Sequence, residues 1–101
     1  MKLESPIQKE IMDYLNVIGA KVFRLNSGHS GRYNQKLCPP GTPDILACIP
    51  KGLTLWIEVK KSDGKRNANQ IKMHKELTDL GQIVIVARSV DDVIKAISSH
   101  K

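Results

Sequence analysis

Asp44, Glu58 and Lys60 are the residues of this chain whose types and spacing can do chemistry together. Gly41-Thr42-Pro43-Asp44 opens one apolar run, Asp44 to Ile49, and Glu58-Val59-Lys60 closes the next, which starts at Leu53. Pro50-Lys51-Gly52 between the runs predicts a hairpin. Alternate residues of a strand share a face, so Glu58 and Lys60 point one way and Ile57 and Val59 the other. A hairpin then sets Asp44, at the start of the first strand, opposite the end of the second, and three polar groups converge at one end of a sheet. Two carboxylates a few ångströms apart repel. A hard divalent cation with oxygen ligands neutralises them, and a lysine beside it holds a water or a phosphate. The outline is a metal-assisted hydrolytic site. The same residues equally suit a turn cap at Asp44 and a surface pair of Glu58 and Lys60 on an edge strand.

The elements that position these residues are legible from periodicity. Ile7, Ile11, Tyr14, Leu15 and Ile18 recur at helical spacing, with Ser5-Pro6 as the start and Gly19 as the stop. Lys21 to Leu25 reads as a strand. Asn26 to Pro43 is a long loop rich in Gly, Pro, Ser and Asn that carries His29, Arg32, Tyr33 and Lys36. Asn67, three residues before Gln70, predicts a capping pair at the head of a second helix. Ile71, His74, Leu77 and Thr78 form its expected inward stripe, and Gly81 its end. Ile83 to Ala87 reads as a buried strand, and Ser89 with Asp92 repeats the capping pattern before a last helix carrying Val90, Val93, Ile94 and Ile97. The order αβββαβα predicts an α/β fold, a mixed four-stranded sheet flanked by helices.

At 101 residues the chain has the length of a single domain, 1–101, with one core. Its 41% hydrophobic and 26% charged residues are those of a folding chain. The longest apolar runs fall far short of the roughly 20 residues of a membrane helix, and Met1-Lys2-Leu3-Glu4 does not lead into a signal-peptide core. The expectation is a cytoplasmic protein with no membrane partner. Cys38 and Cys48 are too few for a structural zinc set. Sixteen Lys plus Arg against ten Asp plus Glu give +6, a positive field that suits a polyanion. No acid occurs between Asp13 and Asp44, and Lys60, Lys61, Lys65, Arg66, Lys72 and Lys75 form a second basic cluster. Arg24, Arg32, Lys36, Lys61, Lys65 and Arg66 are candidates for pairing phosphates without reading sequence, and Tyr33 is the better stacking candidate than Trp56, a core or interface residue. His74 reads as a helix-face residue rather than a base.

The ordered set Gly41-Thr42-Pro43-Asp44, Glu58-Val59-Lys60 and Gln70 at the head of a helix resembles the PD-(D/E)XK nuclease superfamily and, within it, the VRR-NUC family of virus-type replication and repair nucleases, including stand-alone phage members. Glu4-Ser5-Pro6-Ile7-Gln8, Arg24-Leu25-Asn26-Ser27-Gly28 and Ala87-Arg88-Ser89-Val90-Asp91-Asp92 extend the resemblance from about Glu4 to Ile97. It implies a restriction-endonuclease-like core in which Asp44, Glu58, the Val59 carbonyl and a first-helix acid hold Mg²⁺ or Mn²⁺. Lys60 then positions or activates water, and Gln70 supports the site. Asn26 and Ser27 join the DNA-contacting set through the same resemblance. Both Glu4 and Glu10 are candidates for the first-helix acid. At about 100° per residue Glu4 lies roughly 40° from the centre of the apolar stripe and Glu10 roughly 80°, which favours Glu4. The implied activity is structure-selective hydrolysis of DNA by a metal-dependent endonuclease. A single site cuts one strand, so a stand-alone member suggests a homodimeric Holliday-junction resolvase. Flap cutting, nicking, and a DNA-binding accessory module without turnover are the alternatives.

Overall fold

The computed structural model describes residues 4–25, 29–30, 35–36 and 38–100, with side chains over 6–25 and 38–100. Helix α1 runs Glu4–Val17, strand β1 Lys21–Arg24, and two short strands, β2 His29–Ser30 and β3 Gln35–Lys36, pair with each other. Then come β4 Ile45–Ile49, β5 Leu53–Val59, α2 Ala68–Asp79, β6 Ile83–Ala87 and α3 Val90–Ser99. The main sheet has the order β1-β4-β5-β6, with β1, β4 and β5 antiparallel and β6 parallel to β5. The αβββαβα order and the mixed four-stranded sheet are therefore as the sequence predicts. The small β2–β3 ladder lies within what reads in the sequence as continuous loop. None of the helices among the described residues is long and apolar enough to cross a membrane.

Strand alternation assigns each face of the sheet its layer. Ile45, Ala47 and Ile49 of β4 and Leu55, Ile57 and Val59 of β5 bury themselves against Ile7, Ile11 and Leu15 of α1 and Val93 and Ile97 of α3. Glu58, between Ile57 and Val59, necessarily points to the opposite face, where α2 lies. The predicted stripe of α1 is confirmed, since Tyr14 and Ile18 also pack on this core.

Three expectations need correction. The α2 stripe is narrower than predicted: His74 is buried and Leu77 half-buried, but Ile71 is 51% exposed and Thr78 is exposed. The helix covers only the β5–β6 side of its face, so the flanks of an otherwise apolar stripe meet solvent. Ile83 to Val86 are only partly buried, because β6 is an edge strand. Its unbroken apolar run arises because α2 and α3 flank it on opposite faces, which removes alternation. The capping pair before α3 does not form: the Ser89 side chain makes no cap bond, and Asp92 Oδ2 accepts from the Arg88 N–H at 2.8 Å, one residue ahead of the N-cap. The exit of α2 is better anchored. Gln82 N–H donates to Leu77 O and Gly81 N–H to Thr78 O, a Schellman closure with Gly81 at φ +89°. Gln82 Oε1 then accepts from Trp56 Nε1 at 2.9 Å, tying the helix end back to β5.

Ile57 is fully buried at the centre of this core, on the face opposite Glu58 and one residue away from it. Truncation by Ile57→Ala is expected to cost about 2–5 kcal/mol. Urea unfolding of the purified variant measures it as a lower midpoint at unchanged slope.

Candidate active site

The β4–β5 register pairs Ile45 with Ile57, which carries Asp44 one step further, toward the end of β5. There Asp44 Oδ2 accepts a hydrogen bond of 2.8 Å from the Val59 N–H. The Asp44 carbonyl accepts from Leu25 N–H, continuing the β1–β4 ladder past Arg24. Upstream, Thr42 Oγ1 donates to Pro39 O at 2.7 Å, which closes the turn that delivers Pro43 and Asp44. The convergence expected from alternation is thus built by a backbone amide of β5 reaching the carboxylate that opens β4.

Glu58 is 2% exposed. Its Oε2 accepts from Gln70 Nε2 at 3.2 Å, and its Oε1 lies 3.3 Å from His74 Nε2. Both partners come from α2 and sit one helical turn apart, on the same face. Gln70 belongs to the predicted capping pair: Asn67 Oδ1 accepts from Gln70 N–H, and Gln70 Oε1 accepts from Asn67 N–H, each at 2.9 Å. One side chain therefore both starts the helix and donates to the buried acid. Lys60 is 9% exposed, with its N–H on Ala87 O, so the chain stays in register with β6 beyond the end of β5.

Gly41 makes this proximity possible. Its φ is +88°, and a Cβ there would overlap the Asn69 carbonyl and press on Gln70 N. The loop before Asp44 rests directly on the first turn of α2, the turn that carries Gln70.

His74 is the residue that sequence reasoning missed. It is 3% exposed, and Arg66 Nη1 lies 3.1 Å from its Nδ1. A histidine in an apolar helical stripe gives the same pattern as a core residue. The available signal was its i, i+4 spacing from the capping Gln70, which puts both on one face. Burial lowers the His74 pKa from its ordinary 6.5, reinforced by Arg66 and Lys60 and opposed by Asp44. The ring is neutral at neutral pH.

The phosphate-contact candidates are less unified. Arg24 is exposed at the end of β1, next to the Leu25–Asp44 ladder bond. Lys65 and Arg66 are exposed in the segment between β5 and α2, with Arg66 turned onto His74. Lys61 is half-buried, and its carbonyl accepts from Arg88 Nη1. Asn26, Ser27, Arg32 and Tyr33 lie outside the described residues, as do the side chains of Lys36 in β3 and of Glu4 in the first turn of α1. Glu10 is exposed and lines a cleft with Ile7, Lys61, Ser62, Asp63, Arg88 and Ser89. Cys38 and Cys48 are free thiols.

A mixed β1-β4-β5-β6 sheet with a Pro-Asp carboxylate docked on a Glu-x-Lys strand, and a Gln donating to that Glu, defines a nuclease domain of the PD-(D/E)XK type. A solved structure described as "VRR_NUC domain" superposes with TM-score 0.75 at 25% identity, over 97% of this chain and 97% of that one. A second, "VRR_NUC domain protein", gives TM-score 0.67 at 20% identity over 98% of this chain and 88% of that one, a likeness of fold. No family model matches the sequence, and no curated protein matches it. The whole-length likeness to the first of these structures, together with the ordered motifs, supports the resemblance to the VRR-NUC family.

Two predictions follow from these contacts. Gly41→Ala should destabilise the fold by more than about 1 kcal/mol, since it strains a left-handed residue and forces α2 off the loop; thermal melting reads the loss. For His74, the folded-state pKa lies below the unfolded one, so the unfolded chain takes up the proton first. Its contribution is complete above about pH 6.5 and is lost as pH falls through the folded value. Melting curves taken from about pH 7.5 down to about pH 5 should therefore fall more steeply for wild type than for His74→Gln, which has no imidazole to titrate.

Proposed function

We propose that the protein is a divalent-metal-dependent, structure-selective DNA endonuclease, and that it acts as a homodimer on four-way junctions. The observation that carries the reading is the 2.8 Å bond between Asp44 Oδ2 and Val59 N–H, which holds the Pro-Asp carboxylate beside Glu58 and Lys60.

The donor set fits a hard cation. Asp44 has one oxygen on Val59 N–H and the other not needed for that bond, Glu58 supplies a second carboxylate, and the carbonyl of Val59, the next residue, is a further oxygen donor. No group of three or more His, Cys, Asp and Glu able to hold a metal occurs among the described residues. That count suits Mg²⁺ or Mn²⁺, which combine one or two carboxylates with water and substrate phosphate. It does not suit a closed zinc site, because both ring nitrogens of His74 are engaged. Glu4 in α1 is the further acid we assign to the set. A bound cation would supply Lewis-acid activation of water and of the phosphodiester.

The chain's own groups do the rest. Asp44 and Glu58 arrive fixed, one by a backbone amide and the other by two α2 side chains, so no reorganisation is needed when phosphate binds. Lys60, on the Glu58 face, orients the attacking water and offsets charge on the phosphate as the new P–O bond forms and the bond to the departing sugar oxygen breaks. Arg24, Asn26, Ser27, Arg32, Tyr33, Lys36, Lys61, Lys65 and Arg66 are assigned to the DNA path. The +6 charge supports that assignment without specifying sequence. Shape, rather than bases, then selects the substrate. One site cuts one strand, and a two-fold pair matches the symmetry of a junction.

Cleavage of labelled four-way junction, 5′ flap, splayed arm and linear duplex tests this, with Mg²⁺, with Mn²⁺ and with chelator. Paired symmetric cuts confined to the junction, lost with chelator, are expected. Asp44→Asn and Lys60→Met should each lower the rate by about 10²–10³-fold while junction binding persists. Flap cutting would retain the site and change the substrate. Wild type without cutting under either metal, but with junction binding, would make the chain an accessory module.

A further inference from the structure

The two α2 side chains that reach Glu58, Gln70 and His74, are each fixed at the far end. Gln70 Oε1 is taken by Asn67 N–H, so the amide must present Nε2 to Glu58 Oε2. The imidazole is constrained in the same way. Arg66 Nη1 stands 3.1 Å from His74 Nδ1, and a guanidinium only donates. Nδ1 is therefore the acceptor. The ring proton sits on Nε2 and is directed at Glu58 Oε1, 3.3 Å away. A ring carrying its proton on Nδ1 would set N–H against N–H at Arg66 and a lone pair against a carboxylate.

We propose that His74, locked as its Nε2–H tautomer by Arg66, is a positioning residue for the Glu58 carboxylate, so that exposed Arg66 acts on the site through His74. The consequence for cleavage rests on the nuclease reading above; the tautomer does not. A carboxylate turns freely about its last torsion unless both oxygens are held. With Gln70 on one oxygen and His74 on the other, the plane of Glu58 is set from α2. An aliphatic side chain at 74 would fill the space and leave a buried Oε1 without this donor. Partners of this kind, which orient a metal-binding carboxylate without touching the metal, are worth about 10–100-fold in affinity or rate.

Three variants separate positioning from packing: His74→Leu keeps volume and loses the donor, His74→Gln keeps a donor near Nε2, and Arg66→Met removes the tautomer lock from an exposed position. ¹⁵N spectra of the imidazole are expected to show Nε2 protonated and Nδ1 bare in wild type, and a mixture of tautomers in Arg66→Met. Mn²⁺ titration of the protein alone should weaken by about 10–100-fold in His74→Leu and recover most of that in His74→Gln. With junction DNA, kcat should fall in parallel while KM changes less than about twofold, as for a group that acts on the reacting centre and not on substrate binding. A wild-type spectrum with Nδ1 protonated overturns the proposal. So does a folded His74→Leu protein that binds Mn²⁺ as wild type does. Should His74→Leu fail to fold, the spectra of wild type and Arg66→Met decide, and an unchanged tautomer in Arg66→Met counts against the lock. If wild type binds Mn²⁺ but cuts no DNA, the nuclease reading fails and the spectra and Mn²⁺ titrations still decide the role of His74.

Discussion

A carboxylate buried to 2% exposure at the end of a sheet is the constraint around which the rest of this structure is arranged. An acid removed from water is costly unless its oxygens are given donors. The backbone amides of β5 serve the ladders with β4 and β6, and the Val59 N–H serves Asp44 Oδ2. Donors to Glu58 come from α2, and that requirement sets where α2 starts and how closely it lies on the strands. Gln70 must be in its first turn and His74 one turn later. The capping box that begins the helix and the hydrogen bond that satisfies Glu58 share one amide, so a shift of the helix by one residue would lose both.

The opposite face of β5 supplies the rigidity that such sharing needs. Leu55, Ile57 and Val59 interdigitate with α1 and α3, and this fixes the strand against which Asp44 and Glu58 are measured. The Val59 amide then has two lives in one residue: its side chain is fully buried in the core, and its N–H holds the Asp44 carboxylate. Core and site meet at that peptide. Gly41 adds a third link, because only a residue without Cβ allows the loop ahead of Asp44 to lie on Asn69 and Gln70.

Much of this was legible in the sequence because it depends on local period and spacing. The placement of Asp44 opposite the end of β5 followed from a three-residue turn and strict alternation, and the start of α2 followed from Asn67 and Gln70. Features that depend on which element covers which were not legible. The Ile83 to Ala87 run looks the same for a central strand as for an edge strand with a helix on each face. Ile71 looks like a core residue until the width of the facing sheet is known. His74 reads as a helix-face residue because an imidazole among apolar residues carries no mark of its partners. Its role appears only when Glu58 and Arg66 are brought to its two nitrogens, and those residues stand 16 and 8 positions away.

The arrangement also explains why the basic segment between β5 and α2 is attached where it is. Lys60, Lys61, Lys65 and Arg66 lie between the buried Glu58 and the helix that supplies its donors. Arg88, beyond β6, clamps that segment by donating to the carbonyls of Lys61 and Gly64 at 2.8 and 2.6 Å. A clamp on carbonyls fixes the backbone of the segment. A basic segment adjoining Glu58 in sequence is thereby held by main-chain bonds. Under the proposed function, a phosphate drawn to that charge would meet Asp44 and Glu58 already oriented, one through Val59 and the other through Gln70 and His74. In that reading the field would draw the substrate in, and the buried hydrogen bonds would set the geometry it encounters.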